Sequence, residues 1–197
     1  GLYYSHVDMR LNDGRGGLLS RDVPMVEDSL GWGGLSACRH ANGRDWWVVQ
    51  VGRYNDAYHL LLLNDEGLYS MGIQQFDEHY RHREGQLYFS PDGTKMAIFS
   101  RDETALFQLF DFDRCSGNLQ KIYSEKFVQL HLGEGVCFSY DSRYVYVSNT
   151  EGSEAPSNIS KLYQYDTEAE DIAASKTLVS SWDGYTYIYP EDANVPP

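Results

Sequence analysis

No stretch of this sequence is long and apolar enough to form a membrane helix. The longest aliphatic run is Leu60–Leu63, against the roughly 18 residues a spanning helix needs. Membrane insertion by a helix is excluded. Cysteine is scarce: Cys38, Cys115 and Cys137 form no C-x-x-C pair and have no histidine at zinc-binding spacing. Their odd number leaves at least one thiol outside any internal disulfide. Cations are few, with 16 Lys and Arg against 29 Asp and Glu, a net charge of −13 and a pI near 4.7. Such a surface repels phosphate backbones, which argues against nucleic-acid binding. It suits a highly soluble protein, or one that meets cations. The start, Gly1-Leu2-Tyr3-Tyr4, has no basic segment, no signal-peptide core and no initiator methionine, so the chain reads as a mature or excised fragment.

Aromatic residues are plentiful instead: 16 Tyr, 8 Phe and 4 Trp. Tyr, Phe and Trp favour strands, so the composition leans towards an all-β fold. Three segments of the chain repeat one another. Leu35–Gly43 leads into Asp45–Val49, Leu87–Gly93 into Lys95–Phe99, and Val136–Ser142 into Tyr144–Ser148. Asn42, Asp92 and Asp141 hold equivalent positions, spaced by 50 and 49 residues, in the range of propeller blades. In each unit a short strand meets an Asn-Gly, Asp-Gly or Asp-Ser turn. Asn-Gly and Asp-Gly mark hairpins because these residues tolerate positive φ.

Each unit then supplies two more strands: Tyr58–Asn64 and Leu68–Ile73, Ala105–Phe112 and Leu119–Tyr123, Lys161–Tyr165 and Lys176–Ser180. Runs such as Trp46-Trp47-Val48-Val49 are apolar on both faces, as a sheet covered on both sides requires. The expected fold is an all-β partial β-propeller, about three complete four-stranded antiparallel blades with parts of two more. The expected division is outer strands of a preceding blade over 1–34, blades over 35–85, 86–134 and 135–182, and the start of another over 183–197. Gly31-Trp32-Gly33-Gly34 reads as a flexible connection. Trp46, Val48, Phe89, Ile98, Phe138, Val145 and Val147 are the expected core. Cys38 and Cys137 fall on equivalent inner strands with a whole blade between them, so no disulfide joins them.

The chain also resembles a known group at Leu2-Tyr3-Tyr4-Ser5 through Asp8-Met9, Ala41–Trp47, Phe89–Gly93, Leu109–Gly117, Tyr144–Ser148 and Leu162–Asp166. These phrases are similar to the large secreted proteins of Bacteroidota that carry a propeller-like domain and often a C-terminal type IX secretion sorting domain. The resemblance implies an extracellular or cell-surface location and a longer parent chain. It implies no catalytic residues.

No set of catalytic residues stands out. His40 precedes a hairpin turn without a Ser-His-Asp order around it. Asp111-Phe112-Asp113 fails the EF-hand pattern, because Cys115 and Ser116 stand where an oxygen ligand and a glycine belong. The cluster His79–Arg83 is bracketed by Asp77, Glu78 and Glu84, which offset its charge. Asn158-Ile159-Ser160 is a glycosylation sequon, usually silent in a bacterial protein. No cofactor and no metal is expected. Candidate binding residues lie on the loop face shared by second-to-third-strand loops and blade-joining loops: Tyr54, Asn55, Asp56, Tyr80, Arg81, Arg101, Asp102 and Glu103. They read either as a polar rim for a partner or cation, or as ordinary solvated loops. The expected function is a non-enzymatic scaffold or protein- or glycan-binding module. Its other partners would be the remaining blades, from the parent chain or from another chain. The alternative is a lactonase-like or quinoprotein-like propeller enzyme, towards which this chain offers Arg39 and His40, with its site completed by other blades.

Overall fold

The Asn and Asp turns fold as hairpins. Gly43, Gly93 and Ser142, each directly after the repeated Asn or Asp, take φ of 73°, 72° and 66°. Asn42, Asp92 and Asp141 each accept, on a side-chain oxygen, the amide of the residue two further on. That Asx turn lets Ser142 adopt the backbone conformation its glycine counterparts adopt. The computed structural model describes residues 1–76, 80–101, 104–127, 135–151 and 159–182.

Strands β1 (Leu2–Asp8) and β2 (Gly17–Val26) form an antiparallel pair. Blade one is β3 (Leu30–Arg39), β4 (Trp46–Gly52), β5 (Ala57–Leu63) and β6 (Leu68–Gln75). Blade two is β7 (Glu84–Phe89), β8 (Lys95–Arg101), β9 (Ala105–Asp113) and β10 (Asn118–Phe127). Blade three is β11 (Gly135–Phe138), β12 (Tyr144–Glu151), β13 (Ile159–Asp166) and β14 (Thr177–Trp182). Every blade is an antiparallel meander. Among the described residues the sole helical element is a single 3-10 turn, Asn12–Gly14. The fold is all-β, a partial β-propeller.

The Gly31–Gly34 segment is strand, not a flexible connection. β3 begins at Leu30, five residues before the strand expected from the repeat, and pairs in parallel with β7 at Trp32 and Glu84. The glycines serve close approach. A methyl group on Gly33 (φ 76°) would overlap the Gly85 carbonyl oxygen. The two inner strands touch there, backbone against backbone, and the Trp32 amide donates to the Arg83 carbonyl at 3.0 Å. Blades one and two thereby become one eight-stranded sheet.

The core lies between blades. Trp47, Val49, Val51, Tyr58 and Leu60 of blade one meet Leu87, Phe89, Met96, Ile98 and Phe110 of blade two. Ala97, Phe99, Phe107 and Leu109 on the other face of blade two meet Val136, Val145, Val147 and Tyr165 of blade three. Phe89, Ile98, Val145 and Val147 are buried as expected. Trp46 is exposed, and Val48 and Phe138 are half-buried. On β4 it is Trp47, with Val49 and Val51, that faces blade two; strand alternation turns Trp46 and Val48 to the opposite face.

All three cysteines are free thiols. Cys38 is buried against blade two, and that burial pushes its thiol up to about 12 despite the nearby Arg114 charge. Cys137, at the equivalent place on β11, is exposed, as is Cys115 in the turn before β10. A maleimide or disulfide reagent is expected to label Cys115 and Cys137 in the native protein and Cys38 only on unfolding, since the thiolate is the reactive form. Mass mapping of the labelled peptides checks this. Rapid native labelling of Cys38 would contradict the packing of blades one and two.

Candidate functional site

The loop between β4 and β5, Arg53 to Asp56, turns through two consecutive positive-φ residues, Asn55 (64°) and Asp56 (46°). Asn and Asp are the side-chain-bearing residues that best tolerate that conformation. The turn leaves Tyr54 and Asn55 at the surface and drives Asp56 inward. Tyr54 bridges to Arg81 of the blade-joining segment. Its ring lies under two guanidinium groups, Arg53 at 5.9 Å and Arg81 at 5.5 Å. Tyr54, Asn55 and Arg81 are therefore the exposed members of the expected rim.

The other expected rim residues stand elsewhere. Tyr80 is buried, and its hydroxyl lies 3.2 Å from the carbonyls of Ser100 and Thr104. Arg101 is ion-paired with Glu84. Asp102 and Glu103 lie outside the described residues, as do Asp77, Glu78, His79, Asn158 and the segment 183–197. Asp56 is not a surface ligand at all. Its carboxylate is wholly buried and collects donors from both blades. Oδ1 accepts from His82 Nε2 at 2.8 Å and lies 3.0 Å from the Tyr58 hydroxyl. Oδ2 accepts from Gln108 Nε2 and Lys121 Nζ, both at 2.7 Å. The Tyr58 proton serves either Asp56 or Gln108 Oε1, 2.9 Å away. Burial alone would raise the Asp56 carboxyl; the hydrogen bonds and charges of His82 and Lys121 outweigh it and hold it at about 2. Lys121 also sits over the rings of Phe76 and Phe110.

His82 Nδ1 lies 2.6 Å from Ser100 Oγ. Ser100, His82 and Asp56 are thus in line, an arrangement the sequence order concealed. They do not form a working triad. Ser100, His82 and Asp56 are 1%, 1% and 0% exposed, so no substrate carbonyl can reach the serine oxygen. The line is a buried lock between blades one and two. A similar lysine device joins blades two and three. Glu125 accepts from Lys176 Nζ at 2.5 Å and from the hydroxyls of Tyr123 and Tyr165 at 2.8 Å. Lys176 lies over Phe127 and Tyr163.

At the other end of β4, a cleft of about 650 Å³ opens between the turn ends of β3 and β7. Arg114 on its wall is spent on the carbonyls of Arg39, His40 and Asp92. Asp92 accepts from Ser90 and Thr94. Arg114 thus ties blade two to blade one, and the Asp92 carboxylate caps its own hairpin turn. Arg39 stacks over Trp46 and His40 on Trp47, so the two side chains pack on different rings. Asp113 caps its own turn through Cys115 and Ser116. No group of three or more metal-ligating side chains occurs among the described residues.

No protein-family model and no curated protein matches the chain. Solved structures do. A candidate 6-phosphogluconolactonase from Bacteroides uniformis aligns over 94% of this chain and 52% of its own, at 15% identity and a TM-score of 0.56. A protein from Lactobacillus plantarum aligns over 90% and 50%, at 17% identity and 0.55. A candidate 6-phosphogluconolactonase from Bacteroides fragilis aligns over 77% and 39%, at 13% identity and 0.51. At such identities the likeness is one of fold, and this chain spans about half or less of those chains.

Proposed function

We propose that the chain is a non-enzymatic binding module of an extracellular or cell-surface propeller protein, taking a protein or glycan partner at the Tyr54 rim. The observation that carries this is the exposed Tyr54 ring with the guanidinium groups of Arg53 and Arg81 over it. Tyr and Arg are the side chains that most often anchor interfaces, and here the loop orients them before any partner arrives. Beneath the rim the buried lock fixes the loop, which lowers the ordering cost of binding.

Glycan-array and surface-plasmon-resonance screening tests the reading. Tyr54→Ala is expected to weaken the partner found by at least about tenfold, or about 1.4 kcal/mol, with the fold unchanged by circular dichroism. Equal binding by Tyr54→Ala and Arg81→Ala would place the partner site elsewhere.

The second reading is a lactonase-like enzyme, favoured by the fold shared with the two candidate 6-phosphogluconolactonases. It needs groups from further blades beside Arg39 and His40. Lactone hydrolysis by a longer parent chain, lost on His40→Ala, would decide for it over the binding module.

A further inference from the structure

The face of blade one turned away from blade two corresponds, one repeat later, to the face of blade two that packs on blade one. Each of its residues has a counterpart one repeat later whose surroundings are known. Trp32 stands at the place of His82, Trp46 at that of Met96 and Val48 at that of Ile98, all spaced by 50. The counterparts are 1%, 0% and 1% exposed because blade one covers them. Trp32 and Trp46 are 72% and 38% exposed, with Leu35 beside them at 49%. Large apolar side chains in contiguous, exposed array mark an interaction surface.

The identity of the cover follows from β1 and β2. β2 leads directly into β3, the inner strand of blade one, as β6 leads into β7 and β10 into β11. β2 therefore holds the outermost place in its sheet and β1 the third. In the three blades the third strand pairs on both sides, as β5 does with β4 and β6. Among the described residues β1 pairs with β2 alone.

We propose that a two-stranded antiparallel hairpin, the inner half of the blade whose outer half is β1 and β2, adds to the free edge of β1 and covers Trp32, Trp46 and Val48. Strand addition supplies the backbone hydrogen bonds. The chemistry of the hairpin follows from the established interface. Its second strand carries large apolar residues at alternate positions, as Trp47, Val49 and Val51 do towards blade two. It also meets Arg39, which stands where blade two has Phe89 and whose guanidinium lies over the Trp46 ring and reaches the Gly43 carbonyl, with no carboxylate partner among the described residues. A carboxylate or an aromatic ring opposite Arg39 completes the fit.

Hydroxyl-radical footprinting with mass spectrometry tests this without any substitution. The 197-residue chain is compared with the same chain extended at its N-terminus by a second copy of its own Leu35–Asp56 hairpin, whose second strand carries Trp47, Val49 and Val51. Oxidation of Trp32 and Trp46 is expected to fall several-fold in the longer chain, while Tyr54 and Tyr88 keep their reactivity. Amide exchange along β1 is expected to slow in parallel. Unchanged oxidation of both tryptophans in the longer chain would overturn the proposal. So would protection that appears in the short chain as its concentration rises, because a second copy would then be the cover.

Discussion

Asp56→Ala is expected to cost about 3–5 kcal/mol of folding stability, the range for breaking a buried charge pair by removing one partner. His82, Gln108 and Lys121 all direct donors at this carboxylate, and each would lose its acceptor in a site water cannot enter freely. Urea unfolding followed by intrinsic fluorescence measures the loss. A double variant with Lys121→Met is expected to fall short of the sum of the single losses, because the lysine is already unpaired once Asp56 is gone. Acid gives an independent readout. The folded carboxyl titrates near 2, below its ordinary 3.8, so the folded state binds this proton less readily than the unfolded chain. Its contribution, about 2 kcal/mol, is complete above about pH 4 and is lost as the pH falls towards 2. Asp56→Asn removes that part of the acid sensitivity. An alanine variant within about 0.5 kcal/mol of the parent would mean that the network is not closed.

The second large effect is expected at Gly33. Gly33→Ala places a methyl group against the Gly85 carbonyl and puts a side chain at φ 76°. The overlap is with backbone, which cannot rotate aside. Overpacking and left-handed strain each cost about 1–3 kcal/mol, and together they are expected to remove about 3–5 kcal/mol. Gly43→Ala is the control. Gly43 has nearly the same φ, 73°, and nothing within 4 Å of an added methyl, so it isolates the left-handed cost at about 1–2 kcal/mol. Equal losses for the two variants would show that the inner strands do not touch.

The blade plan was legible in the chain because each hairpin turn carries its own signal. Asn42-Gly43, Asp92-Gly93 and Asp141-Ser142 recur at a fixed interval, and local backbone preference suffices to read them. The buried lock was not legible. Asp56, His82, Ser100, Gln108 and Lys121 come from five separate strands, loops and linkers, and no short-range pattern joins residues spread over 65 positions. The facing of Trp46 and Trp47 was hidden for another reason. A blade covered on both sides has no polar face, so hydrophobic pattern alone leaves the register of β4 open. Gly31–Gly34 misled because glycine marks both slack chain and close backbone contact. Of the rim, Tyr54, Asn55 and Arg81 were readable from loop position, whereas the inward turn of Asp56 depends on the left-handed Asn55-Asp56 pair.

The parallel contact at Trp32 and Glu84 also bears on how the molecule comes apart. Backbone hydrogen bonds run from β6 through to β10 without a break. Between blades two and three, among the described residues, the linking bonds all involve a side chain, such as Val136 to Gln86 and Asp92 to Ser142. Hydrogen-bonded continuity makes the first two blades one cooperative unit, and the third a second unit bound by side chains. Native-state hydrogen exchange would then sort the core amides into two classes, with the ladder of β12 and β13 opening before that of β4, β5, β8 and β9.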